Sequence, residues 1–174
     1  MKHLAGVIDS RLRWVQPHVL DRRYELRHGD EPVATLAFRS AFGSLATGRS
    51  ADGSWTFKRI GFWQTQATVR AEDALHDLAV FEHNTWRGGG TLRLAWGRSI
   101  LVTTSLWQSK IEFQLADDHV LFRYLTKGFL RQESRLEVMP SLKSFPEMPW
   151  LLLFGWYLVV MMHQDSTTHV AIVA

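Results

Sequence analysis

The chain of 174 residues contains no cysteine, only 5 prolines and a single long hydrophobic run. The lack of cysteine excludes a disulfide scaffold, a thiolate zinc site and a cysteine nucleophile. Hydrophobic residues nevertheless make up 46% of the chain and aromatic residues 12%, which excludes a wholly disordered protein. This length and composition predict a single domain over residues 1–174.

The excess of positive charge is small. Lys and Arg number 20 against 17 Asp and Glu, a net charge of +3, which permits an anionic partner without requiring one. The first residues hold only a short apolar stretch before Arg11 and Arg13, so they do not resemble a secretory signal. We therefore expect a cytoplasmic protein.

The long hydrophobic run covers residues 148–162 and has no polar face. As a helix it would be roughly 22 Å long, short of the roughly 30 Å hydrocarbon core of a bilayer. The run therefore predicts a buried core helix over about residues 147–163 rather than a transmembrane span. Residues 164–174 are expected to leave the core as a tail, in which residues 168–173 form either a last strand or a frayed end.

Before this run, large apolar residues alternate with polar ones in short segments separated by turn residues. This period of two is typical of antiparallel strands with one buried face. It predicts about twelve strands joined as consecutive hairpins: residues 12–15, 24–28, 33–38, 44–49, 54–59, 65–70, 78–83, 92–96, 100–104, 111–115, 120–125 and 136–139.

Twelve strands closed into a barrel leave no exposed sheet edge but make a cylinder a little over roughly 20 Å wide. Wall side chains alone cannot fill it, whereas a helix of about 10–12 Å diameter on the axis can. The sequence thus predicts a mainly β fold, a closed antiparallel barrel around one central hydrophobic C-terminal helix. Gly155 in that helix is expected to face a close wall side chain such as a tryptophan.

The aromatic hairpins at residues 24–27 (Tyr-Glu-Leu-Arg) and 54–63, followed by the closing segment 149–162, resemble the tubby C-terminal-like superfamily. This group includes tubby domains, phospholipid scramblases and LURP-one-related proteins. The resemblance implies a helix inside the barrel and action at membranes, because tubby domains bind phosphoinositide headgroups and scramblases are associated with phospholipid movement. The chain lacks the palmitoylated cysteine, proline-rich leader and acidic calcium loop of scramblases, so scramblase activity is not expected.

A basic patch on the barrel wall is the candidate binding site. With Trp55 and Phe57 facing inward, alternation places Lys58 outward, and Arg59 can turn outward only at the end of its strand. Arginines on neighbouring hairpins could complete a site for phosphate, although an ordinary solvated exterior has the same composition. The candidate ligand-binding residues are Lys58, Arg59, Arg39, Arg49 and Arg70.

Other motifs support no catalytic or metal assignment. His76 and His83 belong to the densest histidine cluster, but no HExxH spacing or fixed third ligand accompanies them. The glycines at 88–90 lack the context of a phosphate-binding loop. The eight tryptophans recur about once per hairpin, which predicts core positions; stacking of single-stranded nucleic acid is the alternative.

We therefore predict a non-enzymatic, soluble binding module with no cofactor and no metal, which recognises anionic phospholipid or phosphoinositide headgroups and is peripheral at the membrane. The alternative is a protein-interaction or scaffold domain without a small ligand. An enzyme with a polar pocket around His76 and His83 is a third hypothesis. Nucleic acid is not an expected partner, and the sequence does not predict an oligomeric state.

Overall fold

The computed structural model describes residues 1–8, 11–61, 65–84, 89–105, 109–127 and 133–173, with the backbone alone for residue 127 and residues 166–173. These residues form two short 3-10 helices, Leu4–Gly6 and Pro140–Ser144, twelve strands and one α-helix. The strands are β1 Leu12–Val15, β2 Arg23–His28, β3 Glu31–Phe38, β4 Ala46–Ser50, β5 Gly53–Ile60, β6 Gln66–Ala71, β7 Asp77–His83, β8 Gly90–Leu94, β9 Ser99–Thr104, β10 Lys110–Gln114, β11 Val120–Lys127 and β12 Glu133–Val138. The helix is α1, Met148–Val173.

The twelve strands form one closed barrel in which every strand pairs antiparallel with its neighbours in the chain. The barrel closes where β1 meets β12, with Leu12 opposite Leu136 and Trp14 opposite Ser134. All twelve predicted strands are present, with ends that differ by a few residues. The mainly β class and the closed barrel are therefore confirmed.

Helix α1 fills the barrel. Residues 150–162 are all buried, and Met162 has the largest exposed fraction among their apolar side chains, 6%. This confirms the central hydrophobic helix, because residues 150–162 of α1 are buried on every side. Its backbone continues as a helix to Val173, past the predicted end at about residue 163, so residues 168–173 do not form a strand. Within the described residues, no helix combines the length and hydropathy that a membrane span requires.

Aromatic rings join the helix to the wall. The rings of Trp14 and Trp156 stack with their centroids 5.5 Å apart and their planes 5° from parallel. A Cβ added at Gly155 would lie 2.7 Å from Tyr124 and 3.0 Å from Phe122. The close wall neighbour expected at Gly155 is therefore present, but it is a tyrosine rather than a tryptophan.

The tryptophans only partly follow the expectation of core positions. Trp96 is 86% exposed in the connection between β8 and β9, so a core position for it was wrong. The buried ones are Trp14, Trp55, Trp150 and Trp156. Trp63, Trp86 and Trp107 lie outside the described residues, as do Phe62 and Gly88.

We call the end of the barrel at which α1 begins the entry end, and the opposite end the exit end. At the entry end, α1 begins, and Arg98 Nη2 lies 2.9 Å from Oε1 of Glu147, the residue just before the helix. At the exit end, Asp165 of α1 contacts Arg59 near the end of β5. Because consecutive strands are antiparallel, the β1–β2, β3–β4 and β5–β6 connections are neighbours at the exit end.

Candidate functional site

Lys58 and Arg59 lie on opposite faces of the barrel wall. Lys58 is exposed on the outer surface, as the alternation predicts. Arg59 keeps the inward direction of Trp55 and Phe57, and its side chain is only 15% exposed at the exit end. The expected outward turn of Arg59 does not occur, because an acid inside the mouth of the barrel pairs with it.

That acid is Asp165. The Arg59 guanidinium donates two hydrogen bonds to its carboxylate, Nη1 to Oδ1 at 2.8 Å and Nη2 to Oδ2 at 2.6 Å. The backbone N–H of Arg59 donates to Oγ of Ser44 at 3.3 Å. Both oxygens of the partner carboxylate are thus engaged, and Arg59 joins β5 to the end of the buried part of α1.

Arg49 and Arg70 also have acidic partners, and they lie closer to the entry end along β4 and β6 than Lys58 does along β5. Arg49 Nη2 is 3.1 Å from Oε1 of Glu72, and Arg70 Nη2 is 2.9 Å from Oδ1 of Asp77. Both pairs flank the turns of the entry end. Four of the five candidates lie on the outer surface at neighbouring strands, and Arg59 faces inward. Arg70 is directly opposite Thr56 and therefore diagonal to Lys58.

Arg39 and Lys58 lie on the same outer surface, at the exit end. Arg39 follows β3, and its backbone N–H donates to the carbonyl of Leu45, which precedes β4. Ala46 in turn pairs with Phe57, so Leu45 is level with Lys58. Arg39, Leu45 and Lys58 thus form one row across three strands, with the two cations about 10 Å apart by strand spacing.

A third cation, Arg23, extends this surface. It is exposed on β2 directly opposite Ala37 of β3, diagonal to Arg39. Leu45 lies between Arg39 and Lys58, and the next row carries the small outward side chains of Ala37, Thr47 and Thr56. We call this surface the rim patch. It consists of Arg23, Ala37, Arg39, Leu45, Thr47, Thr56 and Lys58.

The three cations of the rim patch have no ion-pair partner among the described residues, unlike Arg49, Arg59 and Arg70. Asp21, in the β1–β2 connection, is an exposed acid two positions before Arg23. Arg23 is not among the residues that the sequence predicted for the binding site. Its signal was available, because Tyr24 and Leu26 must face inward and thereby direct Arg23 outward beside β3.

The mouth of the barrel holds a cavity of about 40 Å³. That volume accommodates a few water molecules and is far below the volume of a pocket for a drug-sized ligand. It is lined by Arg59, Gln66, Ala67, Phe81, His83, Leu158, Met162 and Asp165. A lipid headgroup must therefore be sought on the outer surface rather than in this cavity.

The histidine cluster of the sequence does not converge. His76 precedes β7 at the entry end and His83 ends β7 at the exit end. The two acids beside them, Asp77 and Glu82, pair with Arg70 and Arg93. Across the ranges that the structure describes, no three His, Asp or Glu side chains are grouped as metal ligands.

No family model, curated protein or solved structure matches this chain. The geometry of the rim patch is therefore the basis for any functional assignment, and the resemblance to the tubby-like superfamily stays a prediction.

Proposed function

We propose that this protein is a non-enzymatic, tubby-like membrane module that binds anionic phospholipid headgroups, with phosphoinositides as the preferred class, at the rim patch. The observation that carries the proposal is the grouping of Arg23, Arg39 and Lys58 without ion-pair partners among the described residues, while the other candidate cations are paired.

The chemistry of the rim patch suits phosphate. Arginine guanidinium groups bind phosphate oxygens through two parallel hydrogen bonds, and lysine adds a mobile point charge. The small side chains of Thr47 and Thr56 leave room in the row beside Arg39 and Lys58, and their hydroxyl groups can donate further hydrogen bonds. Each cation near an anionic bilayer contributes about 1 kcal/mol to association.

The proposed location is the cytoplasm, with reversible attachment to a membrane. Anionic lipids are concentrated in the cytoplasmic leaflet, where basic surfaces are attracted to them. With three cations, the attraction is modest, so we expect membrane binding that weakens as salt increases.

Cosedimentation with vesicles tests this function. The vesicles contain phosphatidylcholine alone, phosphatidylcholine with phosphatidylserine, or phosphatidylcholine with a phosphoinositide. The test variant combines Arg39→Glu with Lys58→Glu. The matched control combines Arg93→Glu with Arg135→Glu, which changes the net charge equally on outer-wall side chains that are 66% and 61% exposed.

We expect the native protein to be retained by both anionic vesicles, and the Arg39/Lys58 variant to lose about tenfold or more in affinity while the control keeps most of its binding. Equal recovery with neutral and anionic vesicles overturns the proposal. If both variants lose the same affinity for anionic vesicles, binding is a diffuse attraction by net charge and the assignment to the rim patch is wrong. A stoichiometric protein partner retained by the Arg39/Lys58 variant would favour the scaffold alternative.

A further inference from the structure

Two large apolar side chains project into solvent next to the rim patch. Leu20, in the β1–β2 connection, is 97% exposed, and Phe42, in the β3–β4 connection, is 92% exposed. The two connections are neighbours at the exit end. We call Leu20 and Phe42 the apolar tips. Exposed apolar groups beside a polar border are typical of an interaction surface.

Arg22 holds the two connections together. Its Nη1 donates hydrogen bonds across to the β3–β4 connection, and its Nη2 donates to Oε1 of Gln164 on α1 at 2.9 Å. The guanidinium also lies 3.9 Å from the centroid of the Phe38 ring. The Nη1 acceptors are the carbonyl oxygens of Ser40, Ala41 and Gly43, at 3.0, 3.0 and 2.8 Å.

Gln16 stabilises the backbone of the β1–β2 connection. It is only 8% exposed, and its Nε2 donates to the carbonyl oxygens of Val19 and Asp21 at 3.2 and 2.9 Å. Together with Arg22, it satisfies carbonyl groups on both sides of Leu20 and Phe42. The two tips are therefore presented by connections whose backbones are held by side-chain hydrogen bonds.

The charged side chains around the apolar tips indicate which partner binds there. The rim patch places Arg23, Arg39 and Lys58 just below them, against a single exposed acid, Asp21, in the two connections that carry the tips. The entry end also exposes apolar side chains, Leu75 at 86% among them, but its connections carry several exposed acids, including Asp30, Asp73, Asp117 and Asp118. A negatively charged bilayer is therefore attracted to the exit end and repelled from the surroundings of Leu75.

We infer that the protein docks on an anionic bilayer with its exit end facing the membrane, so that Leu20 and Phe42 enter the boundary between headgroups and acyl chains. This inference rests on the proposed function and adds orientation and depth to it. The rim patch holds phosphate groups while the tips enter about 5–10 Å into the interface, as apolar faces of peripheral proteins do.

The absence of cysteine makes a direct test possible. Single variants Leu20→Cys, Phe42→Cys and Leu75→Cys each carry one environment-sensitive fluorophore. With phosphatidylserine-containing vesicles, we expect the emission at positions 20 and 42 to shift to the blue and to be quenched by spin-labelled lipids. Emission at position 75 should not change.

The contribution of the tips to affinity is measured with unlabelled protein. Leu20→Ser and Phe42→Ser should each weaken binding to phosphatidylserine-containing vesicles about tenfold, since burial of such a side chain is lost. Leu75→Ser is the matched control at the entry end and should bind as the native protein does.

The outcomes separate this inference from the function on which it rests. If the native protein binds anionic vesicles but position 42 shows no shift and Phe42→Ser binds equally well, the orientation is wrong and headgroup binding stands. If native protein does not prefer anionic vesicles, the proposed function fails. A blue shift at position 42 that rises with protein concentration in the absence of vesicles would instead identify a second copy of this chain as the occupant and overturn the inference.

Discussion

Arg59 and Asp165, 106 positions apart in the chain, form a two-bond ion pair at the exit end of the barrel. Arg59 belongs to the wall and Asp165 to the helix inside it. The pair therefore links the barrel wall to the end of the buried part of the helix, and it explains why Arg59 does not join Lys58 on the outer surface.

Substitution of Arg59 or Asp165 should lower the stability of the protein and reveal the coupling between the two residues. Arg59→Gln and Asp165→Asn are each expected to lower the free energy of unfolding, and the double variant by less than their sum, with an interaction of about 1 kcal/mol. The value is modest because the Asp165 side chain is 52% exposed. Urea unfolding of the four proteins measures the interaction.

Purely additive effects of the two substitutions would contradict this coupling. The same variants also separate stability from binding. Asp165→Asn should bind anionic vesicles as well as the native protein does, because the rim patch and the tips are intact.

Gly155→Ala should destabilise the barrel. The added methyl group would lie 2.7 Å from Tyr124, and overpacking of this kind costs about 1–3 kcal/mol. The better helix propensity of alanine offsets about 1 kcal/mol of that cost. We expect a lower midpoint in chemical denaturation, with Gly6→Ala as the control, since a Cβ there meets nothing within 4 Å. Equal denaturation midpoints in the two variants would contradict this expectation, because they would show that Tyr124 moves aside without loss of unfolding free energy.

Arg22→Lys should loosen the exit end without unfolding the barrel. A lysine cannot donate to the β3–β4 carbonyl groups and to Gln164 at the same time, because it lacks the fork of the guanidinium. We expect a loss of about 2 kcal/mol in unfolding free energy, as for hydrogen bonds from a charged donor. Hydrogen exchange should accelerate in residues 16–22 and 39–45.

Unchanged exchange in residues 39–45 of the Arg22→Lys variant would show that this connection holds its shape without Arg22. Vesicle binding should weaken in the same variant although it keeps the positive charge, because Leu20 and Phe42 are no longer held side by side.

Alkaline pH should destabilise the protein through its tyrosines, of which the chain has 3. Burial raises the pKa of Tyr24, Tyr124 and Tyr157 above the ordinary value. Above about pH 10 the unfolded chain therefore loses phenolic protons that the folded protein keeps, so stability is full below that pH and falls as pH rises.

Phenolate absorbance followed beside circular dichroism tests this pH dependence. Ionisation should coincide with unfolding, and Tyr157→Phe should make the alkaline loss of stability shallower by removing one buried phenol. Phenolate formation near pH 10 in a protein with a native dichroism spectrum would contradict the expectation.

The strands and the helix could be predicted because each follows from a local period. Alternation places Leu26 and Phe57 inside, and residues 148–162 have no polar face, so a wide barrel and a buried helix require each other. Pairing of side chains is not local. Arg59 pairs with an acid because α1 continues beyond the buried run to Asp165. The alternation of residues within β5 contains no information about the length of α1, so this pair could not be predicted.

The same limit explains the other differences. Trp96 is large and apolar, but it precedes Gly97, whose φ of 84° places the residue in a tight turn beyond the end of β8. Its position in the turn therefore prevails over its hydrophobicity. The preference of Arg49 and Arg70 for acids likewise depends on turns of the entry end that bring Glu72 and Asp77 beside them.

The order of elements along the chain has a consequence for synthesis. The helix that fills the barrel follows all twelve strands, so the inner faces of the wall have no partner until the ribosome has made residues 148–162. Contacts between α1 and strands such as β3, β4 and β5 are distant in sequence, and such contacts form slowly. Refolding followed by tryptophan fluorescence should accordingly be slow and prone to aggregation, and the growing chain is expected to need protection by chaperones before its last helix emerges.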